Sequence, residues 1–386
     1  MLYGDGIHDD TQAIQALLDS RAALVDLPAP AVRYTISKPL VIHSNQELRL
    51  PRLAVIRLAD NSNCLMLKNE AYDLDGGMKN GTIQEYLQGT APFDATANPP
   101  DENIAVTGGI WDYNNQGQLP HPWNFPHDDF PEYSGLCMYL RHIRRLHLTG
   151  MTMKDPTTYA ITLDMVSYFT VEDITFDFNY GNPWAINMDG VHLDGNCHFG
   201  VIRNLRGACY DDLVALNADE GTHGPITNVE IDGIWSEDCH SAVRLLSCQC
   251  PVKNVHIHNV YGTYYQYCIG VTRYYQGGPG FYDGLAFDHI FASKAERLSV
   301  YRKDGSFVYP LLWVQSGLRV RNLTISDVYH VEEHVATPTV CVEEETTVEN
   351  LILSNIVQEN RLSESFPLFA NNGTVEHLSV SNLVQT

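Results

Sequence analysis

Asn228 to Ile234 reads NVEIDGI, and the same seven-residue shape returns three times: NVHIHNV from Asn254, NLTISDV from Asn322 and NLILSNI from Asn350. Apolar residues alternate with polar ones, as in strands with one buried face, and an Asn, Asp or Gly turn signal follows. Looser copies are RLHLTGM from Arg145, FTVEDIT from Phe169, FGVIRNL from Phe199, GLAFDHI from Gly284 and HLSVSNL from His377. A second strand type lies between them. Its central apolar residues are Met138, Ile161, Val191, Val214, Val243, Ile269, Leu312 and Val340, at steps of 23, 30, 23, 29, 26, 43 and 28. Steps of this length with two or three strands each predict a parallel β-helix, whose coils stack at the ~4.8 Å strand spacing. The class is all-β: a single-stranded right-handed solenoid forming one domain over 1–386. The 43-residue step predicts an insertion loop over about 274–310. A β-sandwich would need antiparallel hairpins, and few Asn-Gly or Asp-Gly pairs have that spacing.

The N-terminal stretch GDGIHDDTQAIQALLDS alone has helical periodicity. Asp9 or Asp10 can cap a helix over about 9–20, with Ile14, Leu17 and Leu18 as its apolar stripe. Such a helix would cover the open end of the coil stack.

Composition narrows the function. The 386 residues carry 24 Lys plus Arg against 47 Asp plus Glu, a formal charge of −23. That excess argues against nucleic-acid and anionic-membrane partners, which need basic surface. No apolar run is long enough to span a bilayer. No secretory signal is visible after Met1, so a cytoplasmic location is expected, or export if the chain has been trimmed. The nine Cys suggest buried thiols rather than a disulfide framework, and Cys248 and Cys250 lack zinc-ribbon spacing. No glycine-rich phosphate loop precedes a helix, and no acidic run has calcium-loop spacing. The expectation is therefore no cofactor and no metal; oligomeric state is not legible.

Register supplies the chemistry. Aligning coils on Val191, Val214 and Val243 puts Asp189, Asp212 and Ser241 in one column and Met188, Asp211 and His240 in the next. Three carboxylates and an imidazole then fall within about two coils, inside catalytic coils spanning about 155–275. Carboxylates stacked ~5 Å apart repel, so at least one holds its proton more tightly. A protonated acid beside an ionised carboxylate is what glycoside hydrolysis uses. The plainer reading is that Asp and Asn fill turns.

Asn187-Met188-Asp189-Gly190 followed by Asp211-Asp212 resembles the polygalacturonase family, glycoside hydrolase family 28, with its Asn-Thr-Asp-Gly, Asp-Asp, Gly-His-Gly and Arg-Ile-Lys motifs. Gly4-Asp5-Gly6 with Asp9-Asp10-Thr11 is similar to the opening of many pectin-lyase-like β-helices, and Gly108-Gly109-Ile110-Trp111-Asp112 resembles a family strand. The resemblance implies that Asp211 is the general acid, that Asp189 and Asp212 activate the attacking water, and that the anomeric carbon is inverted. It implies that His240 tunes the acid; Thr222-His223-Gly224 is closer in spelling but falls too early for the next coil. Where the family carries Arg and Lys, this chain has Gly270 and Thr272. Arg244 and Arg273 are the candidate replacements for gripping a uronate carboxylate.

The outward column also contains Tyr139, Thr162, His192, Ala215 and Trp313, an expected cleft floor in which His192 reaches a sugar hydroxyl. Aromatic candidates for sugar stacking lie at 121–127, Tyr264 to Tyr267, Tyr274-Tyr275 and Phe281-Tyr282, with Tyr267 and Trp184 foremost. Asn187 completes the candidate substrate contacts. The expected partner is a carbohydrate, and the leading reading is an inverting hydrolase of pectin-type glycans. A lyase of the same fold would need a base such as Lys, which the central columns lack. A tailspike-like β-helix that only binds glycans is the third reading.

Overall fold

The structure is a computed structural model and describes residues 1–73, 98–120, 135–274, 277–297 and 308–386. It divides into two compact units, Met1–Gly200 with Glu220–His223, and Val201–Asp219 with Gly224–Thr386. Both are built of parallel β-helix coils.

In the first unit three ladders run side by side, all parallel. One joins Asp5–Asp9, Arg33–Ile36, Val55–Leu58, Ile110–Asp112, Thr152–Lys154 and Thr175–Asp177. The second joins Leu24–Asp26, Gln46–Arg49, Asp101–Thr107 and the long strands Met138–Thr149 and Ile161–Glu172. The third joins Leu40–Ile42, Leu67–Asn69, the starts of those long strands and Val191–Leu193. Each long strand serves two ladders because it bends at left-handed residues, His142 and Arg145 in one, Met165 and Tyr168 in the next. Leu146 pairs with Phe169, so that copy of the repeat begins at Tyr168, one residue before its apparent start.

The second unit follows the heptads. Val229, Ile231 and Ile234 of the first copy are buried, as are Val255, Ile257 and Val260 stacked on them. The sixth residue of each copy turns the corner with positive φ: Gly233, Asn259, His289, Asp327, Asn355 and Asn382. Gly, Asn, Asp and occasionally His tolerate that region, where a β-branched residue would clash. The turn signal is thus a backbone requirement repeated once per coil. The expected register holds within the units: Met138 pairs with Ile161 and Ile161 with Val191 in the first, and Val214, Val243, Ile269, Leu312 and Val340 align in the second.

Two expectations fail locally. The stretch expected as an insertion loop contains the strand Gly280–Lys294, paired on both sides with Val252–Tyr264 and Leu318–Glu332. Alternating burial of Tyr282, Leu285, Phe287 and Ile290 makes it an ordinary coil wall. Residues 275–276 and 298–307 of that stretch lie outside the described residues.

The helix forms at Thr11–Asp19, with Ile14 and Leu18 buried but Leu17 40% exposed, so the stripe is narrower than expected. Asp10 stands at the cap position without capping; its carboxylate accepts from Tyr3 N (2.6 Å) and Gly4 N instead. Asp9 accepts from Thr11 N at 2.8 Å. Gln15 explains how the helix closes the edge: its amide accepts from Val41 N (2.8 Å) and donates to Val41 O (3.1 Å). A side chain thereby occupies groups that would otherwise recruit another strand.

Candidate active site

In the second unit, Asp212–Asn217, Ser241–Leu246 and Ile269–Thr272 are successive rungs, with Asp212 opposite Ser241 and Ala215 opposite Arg244 opposite Gly270. Asp212 is 1% exposed. Ser241 Oγ donates a short hydrogen bond to its Oδ1, Tyr267 OH lies 3.5 Å from the same oxygen, and Arg244 Nη1 is 3.8 Å from Oδ2. Burial, and then the neighbouring Asp211 charge, push the Asp212 carboxyl up to about 6, against Arg244, His240 and the Ser241 hydrogen bond. The expected rise therefore occurs, and it occurs at Asp212.

Asp211 keeps a partly open side chain, 12% exposed, and its Oδ1 is 3.3 Å from Nδ1 of the fully buried His240. His240 is the histidine whose ring meets this aspartate, as register indicated over spelling. His223 lies in irregular chain of the first unit, its carbonyl accepting from Asn196. The His240 ring meets Tyr265 edge-on at 5.1 Å, and the Arg297 guanidinium sits 4.7 Å over Tyr265 and 5.2 Å over Tyr210. Sequence reasoning missed Arg297, which no motif marks.

Gly270 has a physical reason. A Cβ there would lie 2.6 Å from the Tyr267 ring, so the aromatic fills the space where a longer side chain would start. Arg244, from the preceding rung, donates through Nε to Thr272 Oγ1 at 3.2 Å and lies 5.4 Å over Tyr274. Its side chain is 22% exposed, so a cation reaches the rung where the family pattern has lysine. Arg273 is turned elsewhere, donating to the Ser316 and Gly277 carbonyls.

Asp189 belongs to the first unit, as do Asn187, His192 and Trp184. Asn187 is left-handed (φ 56°), which lets Met188 enter the core and Asp189 begin the rung paired with Ala160. His192 corrects an expectation. It is fully buried, not on an open face: Nδ1 is 2.6 Å from Asp189 Oδ2, Nε2 is 3.3 Å from Asp194 Oδ1 and 3.1 Å from Glu220 Oε2, and Tyr159 stacks on the ring at 4.0 Å. Burial pulls its imidazole down, and the three carboxylates overcome this and raise it.

The rest of the expected cleft floor is buried as well, because aromatics from the connections fold over it. Tyr139 packs with Leu65, Leu136 and Tyr159 in the first unit, and Trp313 with Tyr267 and Tyr309 in the second. Thr162 and Ala215 are covered too. Trp184 is 55% exposed, whereas Tyr264, Tyr265 and Tyr267 are buried. Residues 121–127 and Tyr275 lie outside the described residues.

Among the described residues three groups have metal-ligand composition: Asp211, Asp212 and His240; His192, Asp194 and Glu220; and the more open Glu230, His256 and His258. Cys248 and Cys250 form no such group. Asp219 accepts from both of their backbone N–H groups, so the turn is held by a carboxylate. None of the nine cysteines is in a disulfide. A groove of about 760 Å³ lined by Lys253, Phe281, Arg319 and Glu349 lies elsewhere in the second unit and includes none of the candidate catalytic residues.

No family model matches the sequence, and no curated protein does. Solved structures do match. The family 28 exopolygalacturonase of Yersinia enterocolitica aligns at 14% identity and TM-score 0.58, over 98% of this chain and 76% of that one. The polygalacturonase of Erwinia carotovora aligns at 14% and 0.53, over 98% and 91%. The Streptococcus pneumoniae surface protein and adhesin PfbA aligns at 15% and 0.55, over 100% and 97%. The likeness is one of fold. The chain has the parallel β-helix fold that these polygalacturonases share with an adhesin.

Proposed function

We propose that the protein is an inverting glycoside hydrolase acting on pectin-type, uronate-containing glycans. One observation carries the reading: two adjacent carboxyls in unlike surroundings, Asp212 buried among Ser241, Tyr267 and Arg244 and Asp211 partly open against His240. Such a pair provides one proton and one base. Asp211, the member reaching solvent, delivers the proton to the leaving oxygen, and His240 orients it. Ser241, Tyr267 and Arg244 present donors or positive charge to Asp212, which suits its ionised form. Asp212 then takes the proton of the attacking water, in a single displacement. Arg244 offers the charge for a substrate carboxylate, in place of the absent Arg and Lys.

The polygalacturonase-like fold supports this choice of substrate class. The likeness to PfbA makes pure glycan binding the competing outcome. The test is reducing-end release from a panel of pectic oligosaccharides, uronate-containing and neutral. Asp211→Asn should lower kcat by at least about 10²-fold, the low end of general-acid contributions, with unchanged circular dichroism. Arg244→Gln should raise KM for uronate substrates more than for neutral ones. Binding without cleavage by the parent protein would reject the hydrolase reading.

A further inference from the structure

The His192 cluster in the first unit is not explained by sugar hydrolysis. Its imidazole has one proton to offer at Nε2, yet that nitrogen faces two carboxylate oxygens, Asp194 Oδ1 at 3.3 Å and Glu220 Oε2 at 3.1 Å. A single N–H points well at only one of them. A metal ion is shared by such a set, and the three ligand atoms lie within 4.8 Å of one another. With arms of about 2.1 Å, donor separations of 3.1 and 3.3 Å correspond to angles of about 95–105° at the ion, between octahedral and tetrahedral.

We propose that His192 Nε2, Asp194 and Glu220 form a buried site for a divalent transition-metal ion of the zinc or manganese class. Asp189 is the outer carboxylate: its Oδ2, 2.6 Å from Nδ1, fixes the tautomer that directs Nε2 at the ion. Charge points the same way. Asp164, Asp189, Asp194 and Glu220 are all under 4% exposed, and the described cations among them are His192 and Arg141, the latter paired with Asp164 at 3.0 Å. Ligation takes the Nε2 proton, so a divalent ion puts two positive charges where there was one beside Asp194 and Glu220. The backbone is shaped for it. Gly221 is left-handed, and a Cβ there would lie 2.4 Å from Asp194 Oδ2, so only glycine brings Glu220 in this close. Gly195 N, donating to the Glu220 carbonyl at 3.2 Å, holds the two segments together. An imidazole nitrogen in the set disfavours calcium and magnesium, which take oxygen.

The ion pins the orientation of Asp189; no bond of a substrate is made or broken at it. The site stands apart from the hydrolase reading, because its test reads metal and not turnover. The protein, carrying His256→Asn and His258→Asn to remove the surface imidazoles, is stripped with a chelator, dialysed, and loaded with Zn2+ or Mn2+ alone. Elemental analysis should find about one ion per chain, with a higher melting temperature than the stripped protein. Asp189→Asn should weaken affinity by about 10–100-fold, and Glu220→Gln should abolish retention. If Glu220→Gln fails to fold, anomalous diffraction at the metal edge decides on the parent chain: a peak about 2.1 Å from His192 Nε2 is expected. No retained ion, or a peak only at thiols or elsewhere, overturns the proposal.

Discussion

Ser241→Ala isolates the force balance at Asp212. Both residues are buried, the hydroxyl donates directly to Oδ1, and alanine fills nearly the same volume, so the perturbation is one lost donor. A hydrogen bond to a charged group is worth about 1.5–3 kcal/mol. At about 1.4 kcal/mol per pH unit, the Asp212 midpoint should climb by about 1–2 units, from the parent value of about 6. Carbon NMR of 13C-labelled aspartate carboxyls reads that midpoint without needing activity. Stability must follow. A carboxyl raised on folding contributes stability that is fully present below its unfolded value of about 4 and is lost as pH rises through the folded value. For the parent the loss runs from about pH 4 to 6, and in the variant it continues beyond. Urea unfolding should therefore show a small gap between the two proteins at pH 4.5 that widens by about 1.5–3 kcal/mol at pH 8. An unmoved or lowered midpoint, or a gap independent of pH, would refute the claim that ionised Asp212 is held by these donors.

Lys294 is 3% exposed, and burial pulls its ammonium down to about 7 against the Glu332 charge. A base depressed on folding makes stability rise with pH between that value and its unfolded value, by at most about 5 kcal/mol, and Lys294→Met should remove this slope in urea melts from pH 7 to 10; an unchanged slope would contradict it. Gly262 has φ 135° and a Cβ there would fall 1.6 Å from the Ser236 carbonyl oxygen. Gly262→Ala should cost about 3 kcal/mol or more, and a loss under about 0.5 kcal/mol would mean the coil shifts freely.

The fold was legible because the repeat encodes a backbone demand. Each heptad ends its apolar alternation at one left-handed position, and Gly233, Asn259 and Asp327 are residues that position accepts. Register then paired Asp212 with Ser241 and brought Asp211 to His240 within the second unit. Burial was less legible. Period-two alternation assigns His192, Thr162 and Trp313 to the face away from the core, but whether that face meets solvent depends on aromatics such as Tyr159 and Tyr309, supplied by connections without periodicity. Glu220 was invisible for a similar reason. It comes from a turn, and glycine at 221 brings its segment against Asp194. Metal-ligand spacing is recognisable in one run of chain, not across a coil. The 280–294 strand was hidden by its position in an over-long step, although its own alternation was among the copies of the heptad.

The most direct measurement is proton NMR of the first anomer released when the protein meets short pectic oligosaccharides, with Asp211→Asn as the control. The account predicts a new reducing end whose anomeric configuration is opposite to that of the bond cleaved, without an unsaturated sugar, and no product from the variant. A retained anomer, an unsaturated product, or undiminished turnover by Asp211→Asn would contradict it.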